Sequence, residues 1–127
     1  MDLLDEPQSL WIDAVRHPLG LRVHVRGART CENTVAYWRA ILRRLRLTGA
    51  QNVLLVDELD GDGLSESEWL GVMMQIAGMG PERIRIAHVK PTGMDDIACY
   101  ERFVRDVGYE AKVFDREEDA ERWLREG

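Results

Sequence analysis

The sequence predicts an α/β fold with a five-stranded mixed sheet in the order β-β-α-β-α-β-α-β-α. Two observations lead there. Residues Ser9 to Arg26 carry apolar side chains at every second position, the period of half-buried strands. Beyond them, stretches with apolar residues three and four apart are each followed by a short apolar run. Helices between successive strands imply parallel pairing through right-handed crossovers. The first two strands have no helix between them, so one antiparallel strand is expected at an edge.

The first strand is Ser9 to His17, with Leu10, Ile12 and Ala14 on one face and Trp11, Asp13 and Val15 on the other. Pro18-Leu19-Gly20 supplies a turn. Leu21, Val23 and Val25 then alternate with Arg22, His24 and Arg26 up to Gly27. Val35, Trp38, Ile41, Leu42 and Leu45 make the stripe of the first helix, with Thr30 as N-cap and Gly49 past its end. Arg39, Arg43, Arg44 and Arg46 cover the rest of that helix, a solvated face that suits the negative end of the dipole.

Asn52 to Val56 reads as an interior strand and Asp57 to Gly63 as a polar loop. Ser65, with Glu68 three residues on, forms a capping box that opens the second helix. Trp69, Leu70, Met73, Met74 and Ile76 fill the apolar side of that helix. Arg83 to Val89 is the fourth strand. Ile97, Tyr100, Phe103, Val104 and Val107 stripe a third helix, and Tyr109 to Phe114 is the fifth strand. Ala120, Trp123 and Leu124 belong to a last helix, which Asp115 is expected to cap.

The 127 residues are expected to form a single domain, 1–127, with residues 1–8 a poorly ordered N-terminal segment. Hydrophobic residues make up 45% of the chain, enough for one core. A net charge of −6 argues against general binding of nucleic acid, since phosphate repels it. No apolar run approaches the roughly 18 residues of a membrane span, so no integral membrane association is expected. The acidic start does not read as a secretory signal. Cys31 and Cys99 match no CxxC pattern, which disfavours a disulfide framework or a zinc site. A cytoplasmic protein is the expectation.

Chemical motifs are sparse. Read as a calcium loop with Gly63 at the invariant glycine place and Glu58, Asp60 and Asp62 at ligand places, the acidic stretch would put its closing ligand on Trp69, which cannot coordinate. His17, His24 and His88 show no metal-ligand spacing. No nucleophile elbow, phosphate loop or dinucleotide motif occurs, and no acid–base pair is recognisable. No metal, no cofactor and no enzymatic activity are expected.

The order of elements resembles the SpoIIAA-like fold of STAS domains, and most of all the small bacterial STAS/SEC14-type proteins. The resemblance runs from Ser9 to Glu126. It is carried by Trp38 to Leu47, Val53 to Asp57, Ser65 to Met74, Tyr100 to Val104, Gly108, Val113-Phe114-Asp115 and Glu118 to Leu124. In the anti-sigma-factor antagonists of that family, the second helix opens with Asp-Ser-Ser/Thr-Gly-Leu-Gly. Here the stretch is Glu66-Ser67-Glu68-Trp69-Leu70-Gly71, which puts Ser67 at the phosphoacceptor position and Ser65 beside it. Glu66 replaces the Asp, and Glu68 and Trp69 replace small residues.

The resemblance implies a non-enzymatic regulatory or protein-interaction domain. The expected partner surface is the loop Asp57–Ser67, including Asp60 and Asp62, with the exposed side of the second helix. Trp69, if exposed, would be its natural anchor. The SEC14-type branch implies instead a carrier or sensor of a small apolar ligand. Ligands of open α/β sheets bind beyond the C-terminal ends of strands. There Met73, Met74 and Met94 would supply apolar walls, and Thr92, Gly93 and Asp95 polar contacts.

Overall fold

The computed structural model describes residues 10–91, 100–106 and 108–126. Residues 1–8, Ile97 and Val107 lie outside that set, as do the site candidates Thr92, Gly93, Met94 and Asp95.

Strand β1 (Leu10–His17) pairs antiparallel with β2 (Gly20–Ala28), in unbroken register from Leu10–Gly27 to His17–Gly20. A Cβ on Gly20 would stand 2.3 Å from the Asn52 carbonyl oxygen, and its φ is 145°. Glycine is required there by both space and backbone.

Helix α1 (Cys31–Thr48) starts where the Thr30 hydroxyl accepts the Asn33 N–H at 3.0 Å. It stops where Gly49 turns left-handed, φ 76°, and returns its N–H to Leu45 O at 2.9 Å. The expected stripe of Val35, Trp38, Ile41, Leu42 and Leu45 is buried, joined by Tyr37.

Strand β3 (Asn52–Asp60), α2 (Glu66–Ile76), β4 (Arg85–Val89), α3 (Tyr100–Asp106), β5 (Glu110–Phe114) and α4 (Glu117–Glu126) follow. The sheet order is β1-β2-β3-β4-β5, with every pair after the first parallel. The expectation of a mixed sheet with one antiparallel edge strand is met.

One expected boundary is corrected. Asp57 to Asp60 are not loop; they continue β3, matched with Val25 to Ala28 of β2. Acidic residues persist in this strand because each face offers Asp57 and Glu58 cationic partners, described below.

Strand alternation sends side chains to two cores. Val23, Val25, Val53, Leu55 and Ile86 meet α1, α2 and α3 on one face. Leu54, Val56, Ala87 and Val89 meet α4 alone on the other. Helix α4 is also fastened by charge. Arg22 donates to both Glu117 oxygens at 2.9 and 3.1 Å, and His17 pairs with Glu121 at 2.9 Å. Arg85 reaches the Leu124 and Trp123 carbonyls at 3.3 and 3.4 Å, with its guanidinium 4.0 Å over the Trp123 ring. Among the described residues, no helix is long and apolar enough to cross a membrane.

Candidate functional site

The C-terminal ends of the parallel strands gather two distinct features, one sealed and one exposed. The sealed feature is a buried ionic cluster centred on Asp57. Position 57 shares the inward phase of Val53 and Leu55, so the carboxylate points under the helices. His88, at an inward position of β4 matched with Leu55, has Nε2 2.8 Å from Asp57 Oδ2. Arg29, from the β2–α1 connection, donates from Nη2 to the same oxygen. Lys90 donates from Nζ to Leu59 O at 2.6 Å and lies 3.5 Å from Asp57 Oδ1. The Leu59 N–H closes the set, donating to Oδ1 at 3.0 Å.

Burial alone would raise the pKa of Asp57. The hydrogen bond with His88 and the charges of Arg29 and Lys90 outweigh it, holding the carboxyl well below the usual range. For His88 burial wins, aided by the two nearby cations, and its pKa falls despite Asp57. The imidazole is therefore neutral at pH 7 and donates its Nε2 proton. Burial also raises the pKa of Tyr37, whose phenol lies beside Arg29 and stays protonated. Every member of the cluster is closed off from solvent. It ties the β2–α1 connection to the ends of β3 and β4.

The exposed feature is the outer face of α2. The capping box is complete: Ser65 Oγ accepts the Glu68 N–H at 3.2 Å, and Glu68 Oε1 accepts the Ser65 N–H at 2.9 Å. Ser67 lies exposed in the first turn, its hydroxyl 3.2 Å from that of Ser65. Ser67, Leu70, Gly71 and Met74 then follow at i, i+3, i+4 and i+7, one stripe of a helix. Leu70 is 50% exposed and Met74 73% exposed. Among the described residues, a Cβ on Gly71 would meet nothing within 4 Å. Asp60 and Asp62 are exposed beside the start of this helix, and Glu66 pairs with Arg102 at 3.2 Å.

These placements correct several expectations. Trp69 is fully buried and cannot anchor an interface. Met73 is also core, so it lines no ligand wall at the rim. Asp57 belongs to the sealed cluster and not to an accessible loop. The expected apolar side of α2 divides in two: Trp69, Val72, Met73 and Ile76 face inward, while Leu70 and Met74, rotated away, face out.

Hollows are shallow. One of about 320 Å³ at the rim is lined by Arg26, Gly27, Glu58, Asp60 and Pro91. A larger one of about 580 Å³ lies at the opposite end of the sheet, between the β1–β2 turn and the segment Thr48–Asn52.

Among solved structures, the chain is similar to an uncharacterised DUF3478-family protein from Shewanella loihica PV-4, described as having a SpoIIAA-like fold. Identity is 19%, coverage is 97% of this chain and 99% of that one, and the TM-score is 0.53. The fold is SpoIIAA-like. No protein-family model and no curated protein matches the chain.

The SpoIIAA-like arrangement sets α1, α2 and α3 on one face of the sheet, so the strand order never reverses and opens no crevice of the doubly-wound kind. Sequence reasoning missed Arg29, Tyr37, His88 and Lys90 as a group. One signal was there to find: His88 and Lys90 continue the inward phase of Ile84 and Ile86, and charge on an inward phase needs a partner.

Proposed function

We propose that this chain is a non-enzymatic regulatory domain that docks a protein partner on the outer face of α2, with the acidic segment Asp60–Glu66 alongside. The observation that carries the proposal is the stripe Leu70–Gly71–Met74. Two large apolar side chains stand in solvent on either side of a glycine in mid-helix. Glycine costs a helix interior about 1 kcal/mol relative to alanine, and none of the described residues crowds this position. A partner that packs closely on the helix accounts for it. The carboxylates of Asp60 and Asp62 favour a partner with basic residues at that end.

The acid–base groups of the rim support a non-enzymatic role. Asp57 and His88 are bonded to one another and sealed, so a substrate has no path to them. Ser67 is the natural control point. A phosphate there would add roughly −1.5 to −2 charge at the margin of the docking stripe.

The test is quantitative affinity capture from the source cells with wild-type, Leu70→Glu and Met74→Glu baits. A partner enriched by wild type and lost from both variants, with circular dichroism unchanged, supports the reading. Equal capture by all three overturns it.

A further inference from the structure

Among the described residues, the edge strand β1 is left unfinished on three sides. It pairs with β2 along its whole length, without a bulge. Alternate residues of any antiparallel edge turn their N–H and C=O groups outward, ready to bond another strand. Within β1 there is no proline and no lysine to block such pairing. Its core-side residues Leu10, Ile12 and Ala14 are only half-buried. On its other face Trp11 is 46% and Val15 43% exposed. Trp11 is held in place there, with the Arg26 guanidinium 4.9 Å from its ring and the His24 ring edge-on at 5.3 Å.

We infer that β1 is a self-association edge: a second copy of this chain adds its own β1 antiparallel, extending the sheet across a two-fold axis. The charge pattern selects the register. A two-fold axis perpendicular to the sheet keeps each residue on its face, so odd positions meet odd and even meet even. Two such registers pair most of the strand. One is centred on Asp13 and sets two carboxylates directly opposite, which is destabilising. The other is centred on Ala14. It places Asp13 against Val15 of the partner subunit, Trp11 against the partner's His17, and Ile12 against the partner's Arg16. No like charges meet in it. The pairing also furthers the burial of Ile12 and Ala14 by joining the two helix-side cores.

The occupant is a second copy because the strand complements itself in this register. A foreign strand or a monomer is the competing outcome. Sedimentation equilibrium over a wide concentration range tests the inference, with wild type, Val15→Glu and Val15→Lys compared. Wild type should associate reversibly to a dimer. Glu at position 15 would face Asp13 of the partner subunit twice across the axis and should weaken the dimer by about tenfold. Lys at the same position would face the same carboxylates and should keep or tighten it. Residue 15 is exposed at an edge, so both variants should retain the wild-type circular dichroism. The inference is overturned if wild type is monomeric throughout, if the glutamate variant dimerises as wild type does, or if both charges weaken the dimer equally.

Discussion

Asp57 Oδ2 and His88 Nε2 lie 2.8 Å apart, both sealed beneath the helices, with Arg29 bonded to the same carboxylate oxygen. Removing the acid leaves two cations buried without a counter-charge. Asp57→Ala should therefore lower unfolding free energy by about 3–5 kcal/mol, read from urea denaturation. Retention of wild-type stability would show that the cluster is not a structural lock.

The same pair sets a pH dependence. The His88 pKa is depressed in the fold, so between that value and about 6.5 the unfolded chain binds a proton that the folded chain refuses. Its contribution is fully present above about pH 6.5 and is lost as pH falls through the folded value. The Asp57 pKa is depressed too, so its contribution disappears only in strong acid, below the ordinary carboxylate range. Denaturation midpoints measured as pH is lowered through and below about 6.5 should fall in wild type. They should stay flatter in His88→Gln.

On α2 the two faces should respond oppositely. Trp69→Ala is expected to cost about 3–5 kcal/mol, because it empties a fully buried site. Leu70→Glu should change stability by less than about 0.5 kcal/mol. Equal melting of both variants would contradict the division of this helix into an inner and an outer face.

Gly71→Ala should stabilise the free protein by up to about 1 kcal/mol, since the added methyl meets open space in a helix. The same methyl should weaken partner capture. A thermal shift upward together with reduced binding is the paired result to look for.

Ser65→Ala should lose about 1 kcal/mol, as the Oγ that accepts the Glu68 N–H goes while the backbone half of the box stays. Ser67→Ala, one turn position away but outside the box, should lose much less. Thermal denaturation of the two variants separates them.

The element order was legible because this fold writes it in two periods. Alternation at Leu21, Val23 and Val25 marked a strand, and Val35, Trp38, Ile41 and Leu45 marked a helix. The caps at Thr30, Gly49 and Ser65 carried their own chemistry and appeared where expected. The end of β3 was hidden. Asp57-Glu58-Leu59-Asp60 has loop composition, and only the third dimension supplies Arg29 and Lys90 on one face and His24 and Arg26 on the other. Trp69 and Leu70 are adjacent and both apolar, so local pattern alone did not say which one faces the core. The exposed stripe of Leu70 and Met74 was hidden for that reason.

One carboxylate holds the connector that launches α1 and the segment that leaves β4. Displacing that carboxylate strips both of their counter-charge at once, so these two stretches should open in step. Amide exchange at residues 28–34 and 88–90 would then share a single protection factor, making this end of the molecule one mechanical unit.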